Sequence, residues 1–138
     1  MEAPPVHQIV TRELHEADDH TLAMIGKEQP AEFSIGDGFT VSVEPYAINS
    51  INWMVFHDGE GVGEGHLFHG WDKGLLVVRN ANIDDEYRGQ GLYGRVLKAL
   101  AGYYGLAVRS DVQLTKAAAR AWEKLGGEWD GAAYRIQP

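Results

Sequence analysis

Ile83-Asp84-Asp85-Glu86-Tyr87-Arg88-Gly89-Gln90-Gly91-Leu92-Tyr93-Gly94 holds three glycines within six positions, led by an arginine. The run before it, Leu75 to Ile83, has the make-up of a buried strand, and Leu92 to about Tyr104 repeats apolar residues at helical spacing. A strand, a glycine-rich turn and a helix start together make an anion site. Glycine lets the backbone come close to a ligand, and the first N–H groups of a helix have no partner within it. The stretch therefore reads as a phosphate cradle. A tight turn with no ligand is the plainer alternative, since short glycine motifs are common.

Spacing separates this motif from its rivals. A Walker loop ends in Gly-Lys-Ser/Thr, which is missing here. A dinucleotide fingerprint opens the first βαβ unit and carries an acidic residue about 20 positions on. Asp111 falls near that distance, but the glycines lie two-thirds of the way along the chain, where such a unit does not begin.

The motif resembles the acyl-CoA pyrophosphate loop of the GCN5-related N-acetyltransferase (GNAT) family, Arg/Gln-x-x-Gly-x-Gly/Ala. Arg88 and Gly91 match it, flanked by Tyr87, Gly89 and Leu92. Tyr93 stands in the last Gly/Ala place, with Gly94 one residue late. Further on, the family reads Asn-x-x-Ala-x-x-x-Tyr-x-x-x-Gly-Phe, and this chain reads Thr115-x-x-Ala118-x-x-x-Trp122-x-x-x-Gly126-Gly127. With the Ser110-Asp111 pair before it, this looks like a small, phage-like branch of the family. The likeness covers about residues 50 to 138 and does not reach residues before 40.

The remaining sequence fits one domain, residues 1–138, with a variable part at 1–38. A chain of 138 residues with 44% apolar and 23% charged content can bury a core. Its net charge of −8 argues against a surface that neutralises nucleic-acid phosphates. The lack of cysteine rules out disulfides, thiolate nucleophiles and Cys-based zinc sites. No apolar run is long enough for a membrane span, and Met1-Glu2-Ala3-Pro4-Pro5 does not read as a secretory signal, so the cytoplasm is the expected compartment.

Val6 to Val10 reads as a short strand and Glu13 to Lys27 as a helix, ended by Gly26 and Pro30. His7, His15 and His20 lack the i, i+4 spacing of a helical metal site, and no metal is expected. Ile35 to Gly38 reads as a turn, and Phe39 to Tyr46 as a strand broken at Pro45. Ile51 to His57, with apolar residues on both faces, reads as a central strand. Asp58-Gly59-Glu60-Gly61 is a hairpin turn, Val62 to His69 returns, and Gly70 to Gly74 turns again around Trp71. Glu64, His66 and Phe68 share one face of the returning strand; His69 lies on the other. After the loop helix come a short strand (Leu106 to Ser110), a second helix (Thr115 to Leu125) and a last strand or hairpin (Glu128 to Ile136). The expected fold is α/β (α+β): a mixed, mostly antiparallel central sheet with a three-stranded meander, loop, helix, strand, helix and terminal strand, as in GNAT proteins.

The resemblance implies acyl transfer from a CoA thioester, most simply acetyl-CoA, to an amine on a small molecule or protein. In that family the strand before the loop splays from its neighbour at a bulge. Its freed backbone, here about Ala81, Asn82 and Ile83, holds the pantetheine arm and the thioester oxygen. The amides of Arg88, Gly89, Gln90, Gly91, Leu92, Tyr93 and Gly94 would take the diphosphate, and Thr115 joins the coenzyme-binding set. Glu64, His66 and Asp84 are the candidate bases.

The helical Tyr that often protonates sulfur is replaced by Trp122, whose indole N–H is no acid at neutral pH. Tyr103, Tyr104 and Tyr134 remain as substitutes, as does direct release of a thiolate. The alternatives are a protein of this fold that binds or inhibits without catalysis, and a nucleobase-modifying acyltransferase. Trp71 and the terminal strand are available as a homodimer edge.

Overall fold

From Ala31 to Ile83 apolar residues recur at every second position between turn residues, and the chain folds there as an antiparallel meander. The structure is a computed structural model that describes residues 30–47, 49–69 and 75–138. Its strands are β1 (Ala31–Gly36), β2 (Phe39–Ala47), β3 (Ser50–His57), β4 (Glu60–Phe68) and β5 (Leu75–Ile83). The β3–β4 turn is Asp58-Gly59, both at positive φ (49° and 88°), as a tight hairpin requires. Helix α1 (Leu92–Tyr104) then crosses over to β6 (Ala107–Arg109), parallel to β5. Helix α2 (Lys116–Lys124) leads to the short hairpin β7 (Glu128–Trp129) and β8 (Tyr134–Ile136). The described strands form one mixed, mostly antiparallel sheet in the order β1-β2-β3-β4-β5-β6-β8-β7.

One face of that sheet is apolar. Val41 and Val43, Trp53 and Val55, Leu67, Leu76 and Val78 are buried there, in one core with Leu92, Val96, Leu97, Leu100 and Tyr104 of α1. Each such aliphatic side chain contributes roughly 1.5–3 kcal/mol on burial. Gly105, at φ 68°, ends α1 by returning its N–H to Ala101 at 2.8 Å. Thr115 caps α2 by accepting from the Ala118 N–H at 3.1 Å, and Trp122 is the one residue of that helix fully in the core. On β4, Val62 is an extra residue between Gly61 and Gly63 in the pairing with β3, so it turns into the core and leaves Glu64 and His66 on the opposite face.

The structure corrects four readings of the sequence. The turn at Ile35 to Gly38 shrinks to Asp37-Gly38, because Ala31, Phe33 and Ile35 form an additional strand against β2. The meander therefore has five strands among the described residues, not three. Pro45 does not break β2, which continues to Ala47 through a register shift where the missing N–H does no harm. β3 is central, but its second face is not core: Met54 is exposed there, and Asn52 and Phe56 are half-buried. The readings at Val6 to Val10 and Glu13 to Lys27, at His7, His15 and His20, and at the turn around Trp71 lie outside the described residues.

Two glycines give opposite expectations. A Cβ at Gly65 would meet the Trp53 ring at 2.4 Å, whereas one at Gly102, on the exposed side of α1, meets nothing within 4 Å. Urea unfolding should show Gly65→Ala destabilised by about 1–3 kcal/mol and Gly102→Ala stabilised by roughly 0.5–1 kcal/mol.

Candidate functional site

β5 has two neighbours for only three residues. Leu75, Leu76 and Val77 pair with Ala107, Val108 and Arg109, after which β6 ends and β5 runs on to Ile83. On its other side β5 stays with β4 but gains a residue: Glu64 faces Asn82 while His66 faces Arg79. The bulge lies at Asn80, whose φ of 55° is left-handed, a conformation that Asn tolerates better than most residues. Arg79, Asn80, Ala81 and Asn82 are all exposed. Among the described residues no strand pairs with the β6 side of β5 beyond Val77, so that edge runs unpaired to the glycine loop.

The loop begins with a single 3-10 turn, Asp85–Tyr87, and ends at Gly91, which precedes α1. Gly89 and Gly91 both have φ 76°, and a Cβ on either would meet nothing within 4 Å, so their backbone faces open space. The first helical hydrogen bond of α1 runs from the Arg95 N–H to Gly91 O at 3.1 Å, which leaves the N–H groups of Leu92, Tyr93 and Gly94 at the helix mouth. The Leu92 side chain is core, and the Cα of Gly94 faces Leu125 just after α2, where a Cβ would approach to 3.0 Å. Both can offer a ligand only their backbone.

Arg88 is a strap. Its Nε donates to Ile83 O at 2.7 Å, its guanidinium donates to Asn82 Oδ1 at 2.8 Å, and it pairs with Asp85 at 2.8 Å. The Ile83 carbonyl and the Asn82 amide oxygen are therefore already bonded, and the exposed edge of β5 left for a ligand is Asn80-Ala81 with the backbone of Asn82. The turn before Arg88 is held from the other side by His57 Nδ1 and Tyr87 Oη at 3.0 Å, with Phe39 against both rings. Burial, then the carboxylates of Glu86, Glu60, Asp58 and Asp84, push the Tyr87 phenol up.

Of the four candidate acid–base residues, Glu64, His66 and Asp84 lie at neighbouring positions of β4 and the end of β5, and Tyr134 lies apart from them. Glu64 and His66 share the open face of β4, beside the bulge. His66 Nδ1 is 3.2 Å from Asn80 Nδ2, and its ring stacks on the exposed Tyr46. Asp84 has an exposed side chain, while its backbone bonds to Val62 O and to the Tyr87 N–H. Tyr134 lies on β8 and donates to Glu123 Oε1 at 2.7 Å, a bond that raises its phenol along with partial burial. Thr115 Oγ1 is engaged in the α2 cap.

Tyr93 packs edge-on against Trp122, ring centres 6.3 Å apart at 83°. Burial pushes its phenol up to about 12, with the Trp122 indole pulling slightly back. Near as the two are, the buried Trp122 Nε1 has no hydrogen bond of acceptable geometry.

Sequence reasoning missed Asn80, the residue that makes the bulge, and His57, which pins the loop turn. The first left a signal: Arg79-Asn80-Ala81-Asn82 is a polar run inside an otherwise apolar strand. A shallow groove of about 400 Å³ by Lys98, Leu125, Gly126 and Ile136 is a separate place and holds none of the candidate residues. Among the described residues no group of His and carboxylates is arranged for a metal, and no helix is long and apolar enough to cross a membrane.

No protein-family model matches the sequence, and no curated protein does. Solved structures do match the fold. A GNAT family acetyltransferase from Elizabethkingia anophelis with acetyl-CoA bound is 11% identical, covers 75% of this chain and 100% of its own, and superposes with a TM-score of 0.58. RimL, a ribosomal L7/L12 alpha-N-protein acetyltransferase, is 9% identical over 76% of this chain and 94% of its own, with a TM-score of 0.60. An aminoglycoside acetyltransferase in complex with coenzyme A is 16% identical over 64% and 66%, with a TM-score of 0.54. The chain has the GNAT fold.

Tyr93 gives this site a measurable signature. Its phenol is raised from 10.0 to about 12, so the stability it contributes is full below pH 10 and is lost as pH rises towards 12. Denaturation between pH 9 and 12 should show a shallower alkaline loss in Tyr93→Phe than in the parent chain.

Proposed function

We propose that this protein is an acyl-CoA-dependent N-acyltransferase that moves an acetyl group from acetyl-CoA to an amine, with residues 1–138 acting as one domain. The observation that carries this reading is the unpaired edge of β5, which runs from the exposed bulge at Asn80 directly to the glycines and free amides at the start of α1. A long donor with a charged diphosphate and a thin polar arm suits that shape. The diphosphate meets the N–H groups from Gly89 to Gly94, where the helix dipole favours negative charge. The amide-bearing arm adds to the unpaired edge of β5 at Ala81 and Asn82, as an extra strand would.

The amine must approach as its free base. Glu64, exposed on the face of β4 beside the bulge, takes its proton through water. His66 is held by Asn80 and acts mainly on the shape of the bulge, while Asp84 at the mouth of the loop serves as a second base. The acceptor is a small amine or a protein amine, as in the neighbours that acetylate aminoglycosides or a ribosomal protein. A second reading has one observation in its favour: Tyr93 places a ring at the loop where a smaller residue would leave more room, which suits a protein that binds the donor without turning it over.

Acetyl-CoA should raise the melting midpoint of the protein. At a hundredfold excess over Kd the gain is about 2.7 kcal/mol, or roughly 10 °C for a chain of this size. Gly91→Val forces a side chain into a left-handed position and into the space beside the amides, and should abolish the shift. No shift at millimolar acetyl-CoA would refute both readings; a shift without thiol release on adding amines would select the second.

A further inference from the structure

The glycine loop has little core of its own. Of Asp85, Glu86 and Tyr87 in its opening turn, only Tyr87 leans on the core, and it is half-buried. A Cβ on Gly89 or Gly91 would meet nothing within 4 Å. A glycine backbone left free in this way must be ordered by the ligand that binds it, at a cost in affinity. What places the turn before any ligand arrives therefore bears on how tightly the diphosphate is held.

Part of that placement comes from β3, two strands away from β5 in the sheet. The Tyr87 hydroxyl lies 3.0 Å from Nδ1 of His57, the last residue of β3. On the other side of the imidazole, Asp58 Oδ2 lies 3.6 Å from Nε2. A carboxylate there holds the ring proton on Nε2, so Nδ1 accepts and Tyr87 donates. Burial, then the surrounding carboxylates, push the Tyr87 phenol up, which keeps that proton in place. Asp58 is fixed in its turn: it sits in the hairpin at φ 49°, and its N–H donates to Gly38 O at 3.0 Å. Phe39 packs on both rings, with centres 4.5 Å from His57 and 5.9 Å from Tyr87. Arg88 and Gln90 make their bonds inside the stretch from Asn82 to Gln90, whereas the Tyr87 hydroxyl reaches out to the β3–β4 hairpin.

We propose that His57 is a positioning residue for the acyl donor: by holding Tyr87 it sets the turn from which the amides of Gly89 to Gly94 receive the diphosphate. It thus raises the affinity for coenzyme A without touching it. This rests on the acyltransferase reading, and adds to the site a strand that carries none of the candidate residues.

Calorimetry with coenzyme A, which needs no acceptor, tests this in a double-mutant cycle. His57→Phe keeps a ring for Phe39 to pack on and removes the hydrogen-bond acceptor. Tyr87→Phe removes only the hydroxyl. Each should raise the Kd for coenzyme A roughly 3- to 10-fold. The double variant should bind no more weakly than either single one, because the same bond is missing in all three. A merely structural contact would lower the melting midpoint of the free protein and leave Kd unchanged, so that midpoint is measured alongside. Asp130→Ala supplies the comparison. It breaks the hydrogen-bonded turn between β7 and β8, and should lower the midpoint with Kd as in the parent. The proposal is overturned if both single variants bind like the parent, if their effects multiply in the double variant, or if Asp130→Ala weakens binding as much as they do. Tyr87→Phe, the smaller change, carries the test where His57→Phe does not fold. A parent protein that fails to bind coenzyme A at all removes the acyltransferase reading itself, and this proposal with it.

Discussion

The rest of the structure depends on where β5 loses its second neighbour. A strand inside a sheet satisfies its backbone on both sides, and this one does so only from Leu75 to Val77. Beyond Val77, among the described residues, it keeps its direction with β4 alone for six more residues, which a flat strand would do at the cost of an open edge. The bulge at Asn80 changes that edge. It twists β5 and turns Arg79 to Asn82 outward, and the register shift still lets Ile83 return to the core opposite Gly63. The glycine at 63 is required for that return, since a Cβ there would lie 2.5 Å from the Ile83 side chain and 2.8 Å from Val55.

The loop that follows is stiffened by side chains rather than by regular structure. Arg88 ties the loop to the end of β5, and the His57–Tyr87 contact ties it to the β3 end. Arg95, one turn into α1, donates to Ile35 O at 2.6 Å and pairs with Asp37, fixing the helix to the β1–β2 turn. With three anchors around it, the path from Gly89 to Gly91 is set before any ligand arrives, and an anion meeting it pays little ordering entropy. The guanidinium groups of Arg88 and Arg95 are thus spent on the shape of the loop.

Much of this could be read from the residues alone, and the reason differs from element to element. β5 and α1 were legible to the residue, because an apolar run meets a glycine turn and then a clean helical stripe ending in Gly105. α2 was legible from its amphipathic repeat and from Gly126-Gly127 as stop, while Thr115, read as its first residue, turns out to be its cap. β1 was not, since its alternation is three half-buried residues long and stands next to Gly36-Asp37-Gly38, which alone reads as turn. The glycine loop was legible as a stretch, but the contacts of its side chains were not. Arg88 matches a phosphate-binding motif in sequence, yet its guanidinium turns back onto Ile83, Asn82 and Asp85, a choice made by acceptors that only the folded strand end brings within reach. Tyr134 looked free on its strand, and became a partner of Glu123 once α2 packed above it.

The pair at Tyr93 and Trp122 shows how two departures from a motif can be one feature. Taken singly, a ring at position 93 crowds the loop, and an indole at 122 removes an acid. Together they pack edge to face, bury each other, and close the interface between α1 and α2 that Gly94 and Leu125 continue one turn on. A smaller residue at 93 would uncover Trp122, and a smaller one at 122 would leave Tyr93 without its wall, so each change makes sense only with the other. The polar consequence follows from the packing. An indole sealed by an aromatic edge keeps its N–H dry, and the one polar group it acts on is the Tyr93 hydroxyl, whose rise on burial it partly offsets.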